Sequence, residues 1–350
     1  MFLVRHNRRF FWLLILKSLP LWIDNSDKID VINQQEPLGK GSYGGVYECV
    51  FNGEFAAIKL SEIPGSPRPK AISHLVSRSF CNEFEFFKTC PEHPHLIRFL
   101  SPYTIKGKLS GLVMERWGES LSHYLLHESH LFRPVAVKGI IMQLLSALAY
   151  VHRRGIAHAD IKPGNLVAQL GDHGMLHIKL IDFGLSVFRR DQRQSGARGS
   201  LAFLSPEMHQ VKSSKTKADW SAFAAADIWA CAVLSAILSL STHPLNYLAQ
   251  LDHAMQQRIA YHRSTDAGQR SLQAVVKKPR LSKKRIARVY TAYSLQLLNK
   301  LTHRLELRLV LRLLLQQGCP AIQRLCQSAL TLEKERPTAA RCLAIMTSMT

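Results

Sequence analysis

The hydrophobic and polar positions of this chain fall into two regimes. Between residues 31 and 116 the pattern reads as strands broken by one helix. Val46-Tyr47-Glu48-Cys49-Val50-Phe51 is rich in β-formers, Asn52-Gly53 is a strong two-residue hairpin turn, and Glu54 to Lys59 runs back. Residues 62–70, with Pro64, Pro67 and Pro69, read as a loop. Residues 72–90 carry Phe80, Phe84 and Phe87 at helical spacing, which predicts a helix. From about residue 117 helical patterns dominate, at 135–152, 227–240 and 295–317. A small β-rich part followed by a larger helical part predicts an α+β protein of two lobes with a cleft between them. No internal repeat is present.

Composition narrows the class. With 350 residues and 47% hydrophobic content, the chain can bury a sizeable core and is not a disordered one. The 46 Lys+Arg against 25 Asp+Glu give a formal charge of +21, which draws anionic partners such as acidic proteins, nucleic acid or anionic membrane without choosing among them. The seven cysteines are odd in number and include no Cys-x-x-Cys pair, so reduced thiols in cytoplasm or nucleus fit better than a disulfide framework or zinc ribbon. Residues 1–30 read as an extension. Arg5, Arg8 and Arg9 precede the apolar run Phe10–Leu16, which is too short to span a bilayer, and no small-residue cleavage site follows. No transmembrane span is expected. The one biased segment is Lys277–Arg288, in which seven of twelve residues are basic. A nuclear-localisation signal, a contact for nucleic acid or acidic protein, and a solvated loop all remain open for it. It has no interleaved aromatics to favour base stacking.

Three runs occur in one order: Gly39-Lys40-Gly41-Ser42-Tyr43-Gly44-Gly45-Val46, then His158-Ala159-Asp160-Ile161-Lys162-Pro163-Gly164-Asn165, then Asp182-Phe183-Gly184. A glycine-rich loop lets backbone approach phosphate closely. An aspartate with a nearby asparagine, and a second aspartate, are the parts needed to move a phosphoryl group. The glycines open into a hairpin, whereas a dinucleotide-binding fingerprint would open into a helix.

Through these three runs, the chain from about residue 32 to 346 resembles a eukaryotic-type protein kinase domain of the serine/threonine class. The resemblance implies the bilobal kinase fold, with an N-lobe over 31–116 and a C-lobe over 117–346 that contains a divergent basic region at about 262–312. It implies ATP as substrate and Mg2+ as cofactor. Residues Leu38 to Val46 would cover the phosphates, and Lys59 in Ala56-Ala57-Ile58-Lys59 would pair with them. Glu83 is preferred to Glu85 as the partner of Lys59, because Glu83-x-x-Phe86-Phe87-x-x-Cys90 repeats the family's rhythm before His93. Glu85 would then be a solvated charge. Glu115 and Trp117 would bond adenine through their backbones, with Met114 behind it. Asp160 would be the catalytic base, Lys162 would neutralise the γ-phosphate, and Asn165 and Asp182 would hold the metal. Phe183 would pack with His158 and Phe87. Lys162 also favours Ser/Thr over Tyr substrates.

Further along, Ser205-Pro206-Glu207 resembles the end of an activation loop, and Glu207 would pair with Arg336. Asp227 would cap the backbone of the catalytic loop. Ala159 stands where many members carry the arginine that receives a loop phosphate. Activity independent of loop phosphorylation is therefore expected, with Ser195 and Ser200 as the loop hydroxyls. The substrates implied are proteins, with acidic ones favoured by the net charge. A pseudokinase scaffold is the rival, but none of Lys59, Asp160 and Asp182 is lost. A small-molecule phosphotransferase would lack the features at 205–207 and 227–229.

Overall fold

The computed structural model describes residues 29–31, 37–41, 44–60, 70–90, 92–105, 108–171, 174–191, 194–195, 198–200, 203–240, 320–331 and 333–348. The basic run 277–288, the helix expected at 295–317, and Ser42 and Tyr43 of the glycine loop lie outside the described residues. The chain forms two compact units, Met1–Phe84 with Arg98–Arg116, and Glu85–Ile97 with Trp117–Thr350.

The first unit is built on an antiparallel sheet. Strands β1 (Ile29–Val31), β2 (Gly39–Gly41), β3 (Gly44–Phe51), β4 (Glu54–Leu60), β5 (Phe99–Ile105) and β6 (Lys108–Glu115) lie in the order β1-β3-β4-β6-β5, with β2 beside β3. The β3–β4 turn takes φ +54° at Asn52 and +83° at Gly53. Two successive positive φ values suit the twist of a tight hairpin, and Asn-Gly tolerates them. The turn sets Val46 opposite Lys59. Ile29, Tyr47, Cys49, Ala56, Ile58, Leu60 and Val113 close one apolar cluster. Helix α1 runs over Lys70–Thr89. Within this unit Phe80 is buried, and Phe84 meets Phe99 edge-on at 5.9 Å.

The second unit is mainly helical. Beyond β7 (Glu119–Ser120), α2 (Leu121–His127) starts where the Ser120 hydroxyl accepts from the His123 N–H. Helix α3 spans Pro134–Arg153, with proline in its first turn, where no N–H is needed. It ends at Gly155, whose φ of +72° allows the left-handed exit. Its Val137, Ile140, Ile141, Leu144, Leu145 and Leu148 are fully buried. Short strands follow: β8 (Ile156–Ala157), β9 (Leu166–Leu170), β10 (Leu176–Leu180), β11 (Val187–Phe188) and β12 (Gln194–Ser195). They pair as β10-β9-β7 and β11-β8, and β12 pairs with β13 (Lys217–Ala218), which follows α4 (Pro206–Ser214).

Helix α5 covers Trp220–Leu240 and starts seven residues before the expected Asp227. The carboxylate of Asp219 accepts from the Ala222 N–H at 3.1 Å and caps this earlier start, and the alanines 222 and 224–226 favour helix. The last helices are α6 (Pro320–Ala329) and α7 (Ala339–Thr347). Both α3 and α5 are long and apolar enough to cross a membrane by length and composition. However, 56% and 83% of their apolar windows are buried in the fold, as in core helices.

Candidate active site

In the first unit, Lys59 sits near the end of β4 and Glu83 on α1. The ammonium meets the Glu83 carboxylate at 2.6 Å, with side-chain exposures of 8% and 1%. An ammonium this buried needs a counter-charge, and α1 supplies Glu83 rather than Glu85. Gly39 has no atom within 4 Å of where a side chain would begin, so packing does not demand glycine there. At Gly45 packing does demand it, because a Cβ would lie 2.6 Å from the Tyr47 ring. Lys40, Gly41 and Gly44 are strand residues of β2 and β3, and Leu38 is exposed before them. Met114 is buried on β6, one residue before Glu115. The Glu115 N–H donates to the Arg98 carbonyl at 3.0 Å. Any adenine contact from Glu115 is therefore left to its carbonyl.

In the second unit, Asp227 organises the loop after β8. Its carboxylate accepts from the N–H of His158 and of Ala159, both at 2.8 Å, and meets His152 Nε2 at 2.9 Å. Asp227 is 1% exposed, so these bonds repay the burial of its charge. They hold Ala159 at φ +67°, which is costly for a residue with a Cβ. Asp160 follows. Its Oδ2 accepts from Lys162 Nζ at 2.6 Å and from Asn165 Nδ2 at 3.0 Å, and its Oδ1 accepts from the Ser200 N–H at 2.8 Å. Lys162 also reaches the Ser200 hydroxyl, at 3.1 Å.

Asn165 and Asp182 are brought together by backbone. The Ile181 N–H donates to the Asn165 carbonyl at 2.9 Å, and His158 Nε2 bonds the Ile181 carbonyl at 3.0 Å. Asp182 itself is left-handed, at φ +64°. Asn165 spends its Nδ2 on Asp160, so its Oδ1 is the atom a cation would take. One carboxylate and one amide oxygen form a hard donor set that suits Mg2+, which keeps most of its shell for water and phosphate. Among the described residues no group of three or more His, Cys, Asp or Glu is placed to hold a metal.

The aromatic column departs from expectation. Phe183 packs edge-on to His158 at 4.8 Å, but the ring stacked on it, at 3.4 Å, is Phe86. Phe87 meets Phe86 edge-on at 5.4 Å. The two phenylalanines are adjacent on one helix and both are buried, and pattern alone cannot decide which ring stacks on Phe183. Glu85 also differs from the solvated charge expected, since its carboxylate meets Arg190 at 2.7 Å. Arg336 and Glu207 form the expected pair, a two-pronged one at 2.6 and 3.1 Å. Arg336 also donates to the Ala225 and Thr331 carbonyls. Sequence reasoning missed Arg198, whose Nη1 donates to the Leu185 and Ser186 carbonyls at 3.1 and 3.0 Å. No spacing rule marks such a bond. The nearest signal was an arginine directly before Gly199-Ser200.

A β-rich unit and a helix-rich unit thus carry these constellations between them in sequence order. The chain belongs to the protein kinase domain family, which matches it over residues 32–345. It is 26% identical to CDPK-related kinase 7 of Arabidopsis thaliana, over 59% of this chain and 34% of that protein. It is 30% identical to CBL-interacting serine/threonine-protein kinase 9 of the same plant, over 60% of this chain and 44% of the relative. Similarity to an Aurora kinase of Saccharomyces cerevisiae is 32% identity, over 55% of this chain and 50% of that one. The chain thus spans about a third to a half of the length of these relatives.

Proposed function

We infer that this chain is a serine/threonine protein kinase that moves the γ-phosphoryl group of ATP to a Ser or Thr hydroxyl of a protein. The observation that carries the reading is the Asp160 carboxylate, oriented at once by Lys162, Asn165 and the Ser200 N–H. A base held from three sides is pre-positioned, and phosphoryl transfer depends mainly on positioning and charge. The substrate hydroxyl oxygen bonds to the γ-phosphorus as the bond to the β–γ bridging oxygen breaks. The hydroxyl proton passes to Asp160, and ADP leaves. Lys162 offsets charge on the transferred group. In the first unit, Lys59, oriented by Glu83, binds the α- and β-phosphates. The turn from Leu38 to Val46 covers them, with Gly39 leaving room for backbone approach. The Glu115 carbonyl and the Trp117 backbone take adenine.

Asp182 and Asn165 would hold Mg2+, which would supply positive charge to offset that of the phosphates. The excess of basic residues would draw acidic protein substrates, and the Lys277–Arg288 run would serve as a nuclear address, as a contact for nucleic acid or acidic protein, or only as a solvated run of charge. A need for ATP, and an odd number of cysteines with no Cys-x-x-Cys pair, support cytoplasm or nucleus as the compartment.

The test is transfer of labelled γ-phosphate from Mg-ATP to a peptide array, comparing the chain with Asp160→Asn. Label on Ser/Thr peptides that vanishes in the mutant is expected. A folded wild type that binds ATP and labels nothing would overturn the reading in favour of a scaffold.

A further inference from the structure

The segment from Asp182 to Ser200 leaves the metal-side aspartate and returns to the base. Its start is pinned, because β11 pairs with β8, placing Val187 opposite Ala157 and Phe188 opposite Ile156. Its end makes three contacts of a different kind. The Ser200 N–H donates to Asp160 Oδ1 at 2.8 Å. Gly199, at φ +96°, lies so close to the Ala159 carbonyl that a Cβ would come within 2.4 Å of its oxygen. Immediately before it, Arg198 Nη1 reaches back 12 and 13 residues to the carbonyls of Ser186 and Leu185.

These contacts form a closed circuit: 185–186 is held by Arg198, Arg198 is joined through Gly199 to Ser200, and Ser200 holds Asp160. The acceptors of Arg198 are main-chain carbonyls, present whenever the chain is folded. A phosphorylated side chain would have to be added before it could serve the same purpose. Ala159, beside the base, offers a methyl group and no cation to receive such a phosphate. A guanidinium is well suited to this task, since its planar donors are fixed in direction and its charge strengthens bonds to neutral acceptors.

We propose that Arg198 is a positioning residue: by tying its own segment to the Leu185 and Ser186 carbonyls it delivers the Ser200 N–H to Asp160, so that the base is set without an added phosphate. The proposal rests on the kinase reading above and deepens it. Arg198 touches neither substrate nor nucleotide in this scheme, and acts through Ser200.

The experiment uses the full chain as wild type, Arg198→Met, Arg198→Lys and Ser195→Ala, and measures peptide phosphorylation, thermal unfolding and amide hydrogen exchange over residues 198–204. Arg198→Met is expected to lower kcat by roughly ten- to hundredfold, the cost of a misplaced catalytic group. The KM for ATP should stay within about twofold, because only an interaction acting at the transition state is lost. Exchange over 198–204 should speed up while the thermal midpoint holds. Arg198→Lys should fall between wild type and Arg198→Met, and Ser195→Ala should match wild type. A kcat within about threefold of wild type in Arg198→Met, or unchanged exchange over 198–204, overturns the proposal. If Arg198→Met does not fold, Arg198→Lys decides alone: a lowered kcat at constant KM for ATP supports the proposal, and wild-type kcat overturns it. A wild type that labels no peptide sinks the kinase reading instead, and the exchange measurement then still decides whether Arg198 holds the Ser200 amide.

Discussion

At the scale of single residues, the side chains that matter most are held by partners distant in sequence. Lys59 and Glu83 were legible as a pair because the motif Ala-Ala-Ile-Lys and a helical carboxylate carry a recognisable rhythm. Arg198 was not legible, since its acceptors are carbonyls that any residue type would supply. Lys59→Ala strands the Glu83 carboxylate, 1% exposed, without its 2.6 Å ammonium. Urea unfolding should report a loss of about 3–5 kcal/mol, the usual cost of breaking one side of a buried pair, and phosphorylation should cease. A loss under about 1 kcal/mol would place the pair in the weakly stabilising class of solvated ion pairs. Gly118 makes a separate prediction. A Cβ there would lie 1.8 Å from the Ala168 carbonyl oxygen, where β7 pairs with β9 through Glu119 and Ala168. Backbone has to move to accept it, so Gly118→Ala should destabilise the chain by about 1–3 kcal/mol in the same measurement. A neutral result would mean that β7 can shift freely.

At the scale of elements, what the sequence revealed depends on whether the signal is local. The hairpin of β3 and β4 was readable because Asn52-Gly53 satisfies two positive φ values by itself. Helix α3 was readable because its apolar face repeats over twenty residues. The start of α5 was misplaced, because its cap, Asp219, looks like any turn aspartate until its bond to Ala222 is seen. The column on Phe183 was half readable for the same reason: helical spacing finds the aromatic stripe but not the rotamer that stacks. The tie from Arg336 to Glu207 joins the turn before α7 to the first turn of α4. Arg336→Met should cost about 3–5 kcal/mol by chemical denaturation. Removing both charges, as Arg336→Met with Glu207→Leu, should cost less than Arg336→Met alone, because no carboxylate is then left stranded. Equal costs would show that the carbonyl bonds of Arg336, rather than the ion pair, dominate.

At the scale of the whole molecule, acid should weaken the fold through an identifiable group. Burial first, and then the neighbouring His95, Arg153 and Arg154, hold the His93 imidazole down at about 4. Its Nδ1 accepts from the His95 N–H, and Nε2 faces the Ser146 hydroxyl, as suits a neutral ring. The unfolded chain takes up a proton on this ring near pH 6.5, which the folded chain refuses until about pH 4. Stability from this group is therefore present above pH 6.5 and drains away as pH falls toward 4. His93→Gln should flatten part of that decline in thermal midpoint against pH, and an unaltered slope would assign the acid sensitivity elsewhere. Helix α6 packs on α5, with Cys326 Sγ 3.5 Å from the Ser235 hydroxyl and 3.6 Å from the Ala232 carbonyl. The chain thus departs from a helix and comes back to that same helix after residues 241–319. Residues 91 positions apart in sequence therefore share one buried seam, a contact that no local signal in either helix announces.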